Sequence, residues 1–116
     1  MKTPTELLFK GNLAAKISKF RYATPWASGH CEFEDRELGR RLAAVTTMLM
    51  YDLEGFELSE AEEELMWEKK LAELDITADD LDLDDDAFWT VRCDAQSIDL
   101  MRAIRFYSDG LLEWRA

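Results

Sequence analysis

The first apolar residues of the chain follow a pattern that is typical of a helix start. In the Thr-Pro-Thr-Glu sequence at residues 3–6, Thr3 can cap a helix, Pro4 suits the first helical position and Glu6 can complete a capping box. Gly11 would end this helix, since glycine readily adopts the left-handed conformation that follows a helix. The pattern therefore predicts a short helix that carries the apolar residues at 7–9.

Two segments with alternating apolar and polar residues come next and predict a pair of antiparallel strands. In residues 12–22 the apolar positions change parity, from Leu13, Ala15 and Ile17 to Phe20 and Tyr22. This change predicts a β-bulge near Ser18 and Lys19. Residues 23–29 read as a turn, and residues 30–34 as a second strand whose inward side chains are Cys31 and Phe33.

The middle of the chain predicts two helices. Asp35 can cap the first, which is expected to end near Gly55 and whose apolar residues recur at intervals of three and four: Leu38, Leu42, Val45, Leu49 and Leu53. Ser59 can cap the second, with Glu62 as its capping-box partner. This second helix should run to about residue 74, with inward candidates Leu65, Trp67, Leu71 and Leu74.

Strand patterns return at the end of the chain, over residues 88–93 and 98–107. The Ser-Asp-Gly sequence at 108–110 predicts a hairpin to a last strand with Leu112 and Trp114. The predicted order is α-β-β-α-α-β-β-β. We expect an α+β fold in which an antiparallel sheet of about five strands packs against helices. No linker divides the sequence, so residues 1–116 are interpreted as a single globular domain.

Composition agrees with an ordinary folded domain. The 116 residues are 47% hydrophobic and 34% charged, which is enough for one core. The chain has no run of 18 uncharged apolar residues, and the longest apolar run near its start is residues 7–9, so we expect a soluble, cytoplasmic protein. Cys31 and Cys93 lie on apolar positions and are interpreted as core thiols rather than as a disulfide.

The charge is concentrated in one part of the chain. The net charge is −11, while residues 1–31 hold five basic residues and one acidic residue. Residues 60–86 hold 13 acidic residues against Lys69 and Lys70. Such a field repels nucleic acid and anionic lipid and attracts basic proteins. Direct nucleic-acid binding and membrane binding are therefore disfavoured.

Residues 79–86, with the sequence Asp-Asp-Leu-Asp-Leu-Asp-Asp-Asp, are the most acidic stretch and are called the aspartate segment below. An EF-hand would place its required glycine at Asp85 and its bidentate glutamate at Val91, so the match to that calcium loop fails. Thr77 can cap a short helix that contains Asp79 and Asp80.

The other four aspartates of this segment have no such local role in the sequence: Asp82, Asp84, Asp85 and Asp86. Their mutual repulsion would be relieved by solvent, by a basic side chain such as Arg92, by a cation or by a partner. Surface solvation alone can also carry such a run.

Metal and enzyme chemistry find little support in the residue types. His30 and Cys31 are neighbours on a predicted strand and point to opposite faces, so they do not share a zinc ion. The chain has one histidine, no Gly-x-Ser-x-Gly motif and no phosphate-binding glycine loop. We expect no metal, no cofactor and no catalysis.

The resulting hypothesis is a small acidic protein that binds a basic protein partner and occludes it. Immunity proteins that neutralise bacterial toxins such as nucleases act in this way, and the likeness is one of size and charge without a shared motif. Trp26 is added as a loop anchor. The candidate partner-binding residues are Glu60, Glu63, Glu64, Asp82, Asp84, Asp85, Asp86 and Trp26.

Two alternatives remain open from the sequence. The first is a DNA mimic that inhibits restriction, defence or other nucleic-acid-binding machinery, as small acidic phage proteins do. The second is a structural or assembly subunit without catalysis, in which an exposed edge strand, the first or the last, forms a homodimer and the acidic residues only keep the protein in solution.

Overall fold

A strongly curved sheet of seven strands forms most of the molecule, as seen in a computed structural model that describes residues 3–51, 57–94 and 97–115. The strands are β1 (Glu6–Phe9), β2 (Asn12–Ala23), β3 (Trp26–Phe33), β4 (Trp89–Asp94), β5 (Ser97–Leu100), β6 (Arg102–Phe106) and β7 (Leu111–Arg115). In the described part of the chain the α-helices are α1 (Arg36–Leu49) and α2 (Glu60–Glu73). Two short 3₁₀ helices, Ala78–Asp82 and Asp86–Phe88, precede β4.

The strand order explains the curvature of the sheet. The order is β5-β4-β1-β2-β3-β7-β6, and every pair of neighbours is antiparallel. β5 and β6 lie at opposite edges, yet only Met101 separates them in sequence. The two edges must therefore converge at that residue. Trp89 of β4 contacts Phe106 of β6 across the concave face, with ring centroids 5.1 Å apart. The sheet is consequently a half-barrel.

The predicted sheet of about five strands and the predicted element order are both wrong. The segment predicted as the first helix is β1, which pairs with both β2 and β4. Leu7 lies between Ala15 of β2 and Val91 of β4 in the sheet, and its side chain is fully buried. Lys10 and Gly11, both with positive φ, form the tight turn to β2 instead of a helix end. Pairing with two strands outweighed the local capping signal.

The second error concerns residues 98–107, whose pattern predicts one continuous strand. Met101 is buried and divides this segment into β5 and β6, which pair with different neighbours. This division, together with β1, raises the strand count to seven. The bulge predicted in β2 is confirmed, because the β2–β3 register shifts between Ser18 and Arg21.

The starts of both helices are confirmed. The Asp35 side chain accepts hydrogen bonds from the backbone N–H groups of Glu37 and Leu38, and Ser59 forms the predicted capping box with Glu62. Helix α1 ends earlier than predicted, at Leu49, with Met50 as its C-cap; the predicted end near Gly55 lies outside the described residues. Neither helix is long and apolar enough to span a membrane.

The main core fills the concave face of the sheet. Trp89, Trp114 and Leu112 are fully buried there, and Leu42 of α1 closes it from one side. Cys31 is buried, as predicted, whereas Cys93 is only half-buried. A second, smaller cluster joins α1 to the segment after α2 and contains Ala44, Val45, Met48 and Ile76.

Helix α2 departs from its predicted packing. None of its residues is buried, and Leu65, predicted to face inward, is 66% exposed. In the described structure, the second half of α2 contacts the body of the protein: Leu71 and Leu74 pack against the smaller cluster, and the Trp67 ring lies 6.3 Å from the Tyr51 ring. Most of α2 therefore offers its side chains to solvent.

Candidate interaction surface

The aspartate segment has a defined structure that its two leucines hold in place. Leu81 packs against the smaller cluster and Leu83 against the main core. The Trp89 indole Nε1 donates a 2.7 Å hydrogen bond to the backbone oxygen of Leu83. Leu81 and Leu83 are the only apolar side chains of the segment, and their burial holds its backbone against the protein. The backbone there forms parts of the two 3₁₀ helices. Its carboxylates are therefore displayed on a folded backbone.

Two of the aspartates in this segment have structural roles. Asp80 accepts a 2.9 Å hydrogen bond from the backbone N–H of Thr77, which confirms the predicted turn start. Asp85 accepts a 2.9 Å bond from the backbone N–H of Ala87 and caps the second 3₁₀ helix. The interpretation of Asp85 as a residue without a local role is therefore wrong. Asp82, Asp84 and Asp86 form no ion pair with any described residue.

Asp84 shows the electrostatic cost of this arrangement. Partial burial raises the pKa of its carboxyl group, and the nearby charges of Asp86, Asp85 and Asp82 raise it further. Arg92, which the sequence offered as a neutralising partner, pairs instead with Glu6 at 3.3 Å. Asp82, Asp84 and Asp86 thus repel one another without an ion pair to a described basic side chain, whereas Asp80 lies 3.8 Å from Arg41.

The acidic residues predicted in α2 lie apart from the aspartates. Glu60, Glu63 and Glu64 are exposed in the first turns of the helix, whereas the aspartate segment follows its C-terminal end. From Glu64 to Leu74 the helix rises about 15 Å at 1.5 Å per residue. The structure therefore does not bring the two acidic groups together into one cluster.

Trp26 lies at the end of β3 that is remote from α1. It is not a turn residue but the first residue of β3, where it lies opposite Arg115 of β7 and is 41% exposed. The opposite end of β3, seven residues away at Phe33, faces α1. At about 3.3 Å per residue, Trp26 lies some 23 Å from that end.

A groove that the sequence did not predict lies between α1, the end of β3, the end of α2 and the β6–β7 hairpin. Its volume is about 790 Å³. The apolar part of its wall consists of Phe33, Ala43, Ala44, Leu74, Phe106 and Leu111, and charged residues at its border are Glu32, Glu34, Arg36, Arg40 and Glu73. We refer to it as the hairpin groove.

One sequence feature could have pointed to the hairpin groove. Gly39 interrupts an otherwise amphipathic helix, and a Cβ atom there would lie 2.9 Å from the Phe33 ring. Glycine therefore allows α1 to approach the end of β3 closely. The glycine alone, however, does not say what lies beyond the contact.

Arg40 joins α1 to the end of α2. Its guanidinium donates 3.0 Å hydrogen bonds to the backbone oxygens of Leu74 and Asp75 and two further bonds to the Glu37 carboxylate. Hydrogen bonding to Arg40 is the main cause that lowers the pKa of Glu37 to about 2. These bonds hold the α2 end, with Glu73 and Leu74, at the border of the hairpin groove.

Thr46 joins α1 to the edge of the sheet. Its buried hydroxyl oxygen accepts a 2.8 Å hydrogen bond from the backbone N–H of Phe106 in β6. An edge strand leaves alternate N–H groups without a neighbouring strand, and this contact satisfies one of them. It also fixes the distance between two walls of the hairpin groove, since Ala43 and Phe106 lie on either side.

Comparison with protein-family models, with curated proteins and with solved structures found no match. Within the described residues, no three histidine, cysteine, aspartate or glutamate side chains are arranged to hold a metal ion. The interaction surface must therefore be interpreted from its own charges and shape.

Proposed function

We propose that this protein binds a basic protein partner and occludes the surface that it covers, in the manner of an inhibitor that neutralises a toxin such as a nuclease. One observation carries the proposal: the aspartate segment is folded and anchored, yet Asp82, Asp84 and Asp86 have no described cationic partner. Lysine or arginine side chains of a partner would relieve the repulsion among these carboxylates. The mechanism is occlusion and requires no catalytic group.

The experiment is an affinity capture from the native host's lysate with the purified protein, washed at low and then at high salt and analysed by mass spectrometry. One basic protein that is enriched at low salt and weakened at high salt is the expected result, because salt screens exposed charges. Absence of any basic protein at low salt would contradict the proposal.

Two triple variants sharpen the test. D82N/D84N/D86N removes three charges from the aspartate segment and leaves the capping residue Asp85 unchanged. E60Q/E63Q/E64Q removes three charges from α2, so both variants change the net charge from −11 to −8. If the aspartate segment is the docking surface, only the first variant should lose the partner. Equal weakening would indicate a general effect of the field. The DNA-mimic alternative is tested by competition: if it is correct, duplex DNA and this protein should displace each other from the captured partner.

A homodimer through an edge strand is a second candidate, although the sheet edges are β5 and β6 and not the first or the last strand, as the sequence predicted. Among the described strands β5 pairs only with β4, whereas β6 pairs with β7 and is also covered by α1 through the Thr46 contact. On β5, Ile98 is 55% exposed and Leu100 is 74% exposed. Such an edge can pair with another strand. Light scattering of the protein and of L100K distinguishes the cases: a dimer that dissociates in the variant supports the assembly function, and a monomeric mass at high concentration contradicts it.

A further inference from the structure

We propose that the hairpin groove receives an apolar side chain of the basic partner, flanked in that partner by lysine or arginine. This inference rests on the proposed function and assigns it a second contact besides the aspartate segment. The occupant is a segment of the partner protein, and its chemistry follows from the walls and the border of the groove.

The walls of the groove favour an apolar group of moderate size. Phe33, which is half-buried, supplies aromatic surface, while Ala43 and Ala44 leave space because their side chains are short. A volume of about 790 Å³ is large enough for an aromatic or long aliphatic side chain together with part of its backbone. Enclosing such a side chain in a pocket is how a few residues dominate many protein interfaces.

The border of the groove favours positive charge beside that apolar group. Glu32 and Glu34 border it from the end of β3, and Glu73 borders it from α2. Of the two arginines at the border, Arg40 is already bonded to Glu37 and to two backbone oxygens. Glu73 is paired with Lys70 at 3.9 Å, so Glu32 and Glu34 remain against Arg36, and the border carries an excess of one negative charge.

The groove is also formed before any partner binds. The Thr46 hydroxyl ties α1 to β6, and Arg40 ties α1 to the end of α2. A preformed pocket loses less conformational entropy on binding than a surface that must first become ordered. The geometry thus fits a docking pocket rather than a gap between loosely packed elements.

Short peptides that carry the expected chemistry of the occupant test the groove directly. The probes are the blocked tripeptides Lys-Phe-Lys, Lys-Ser-Lys and Glu-Phe-Glu, titrated into the full-length isotope-labelled protein and followed by amide chemical shifts. Lys-Phe-Lys should shift the amides of Phe33, Ala43 and Phe106 and bind at least about 10-fold more tightly than Lys-Ser-Lys, because burial of the phenyl ring contributes that much. Glu-Phe-Glu should not shift these amides.

A matched pair of variants at Thr47 controls for the site. Thr47 lines the groove, is exposed and donates a hydrogen bond to the Ala43 backbone oxygen. T47F should fill the opening and weaken Lys-Phe-Lys binding at least about 10-fold. T47S keeps the hydroxyl and should bind as the unmodified protein does. Circular dichroism melting confirms that both variants fold.

The outcomes separate this inference from the proposed function. Unchanged groove amides, equal binding of Glu-Phe-Glu, or full binding by T47F would each overturn the inference. If a captured basic partner is lost with D82N/D84N/D86N but retained with T47F, the proposed function stands and the groove is not its contact. If no basic partner is captured at low salt, the proposed function itself fails.

Discussion

Removal of the Thr46 hydroxyl should weaken the joint between α1 and the sheet. Thr46→Val keeps the size and branching of the side chain but leaves the Phe106 backbone N–H buried without its 2.8 Å acceptor. A buried polar group without a partner costs about 1–3 kcal/mol. For a domain of this length each 1 kcal/mol lowers Tm by about 4 °C, so Tm should fall by about 4–12 °C.

Thr46→Ser is the matched control. It keeps the acceptor and removes one buried methyl group, which costs about 1 kcal/mol. Urea unfolding gives the free energies of both variants, and amide hydrogen exchange reports on the joint itself. The Phe106 amide should exchange faster in Thr46→Val than in Thr46→Ser at equal overall stability.

The reasoning would be refuted by a Thr46→Val protein that is as stable as the unmodified protein and protects the Phe106 amide equally well. That result would mean that the N–H finds another acceptor, and that the wall of the hairpin groove does not depend on Thr46.

Three further predictions concern buried and charged groups. Trp89→Phe should destabilise the protein by about 1–2 kcal/mol more than Trp114→Phe in urea unfolding, because both rings are fully buried but only Trp89 loses an indole hydrogen bond. The pKa of Glu37 should be about 2 by NMR titration and should rise towards 4.5 in Arg40→Gln. Because the pKa of Glu37 is lowered in the folded protein, its ionised carboxylate stabilises the fold at pH values above 4.5. This stabilisation is lost as the pH falls from 4.5 towards 2. Asp84→Asn should raise Tm at pH 7 but not below pH 3.8, since a raised pKa penalises only the charged form.

Each of these predictions has a clear contrary result. Equal losses in the two tryptophan variants would show that the indole bond contributes nothing. A Glu37 pKa that stays near 2 in Arg40→Gln would assign its shift to another group. An Asp84→Asn protein with a lower Tm at pH 7 would show that the carboxylate stabilises the fold.

The features that were predicted correctly from the sequence are caps and turns, in which the interacting residues are close together in the chain. The Asp35 cap, the Ser59–Glu62 capping box and the turn at Thr77 each involve residues two or three positions apart, and all three form. The hairpin between β6 and β7 belongs to the same group, with Gly110 at positive φ as the Ser-Asp-Gly turn requires. Such contacts need no information about distant segments.

The candidate site could be predicted only in part from the sequence, because it depends on contacts between residues that are far apart in the chain. Composition identified the aspartate segment, but the cap role of Asp85 and the pairing of Arg92 with Glu6 depend on how the segment folds against β4 and β1. The hairpin groove joins residues from positions 31–47, 73–74 and 106–111. No local pattern links these ranges.

By itself the sequence determined the starts of α1 and α2, the hairpin turn before β7 and the position of the acidic charge, since capping, turn chemistry and charge are properties of neighbouring residues. Only the tertiary structure decided that the residues around Leu7 form a central strand and that Met101 sends β5 and β6 to opposite edges of one curved sheet. A strand is stabilised by partners far away in the chain. The half-barrel, and the groove beside it, therefore appear only when those partners are in place.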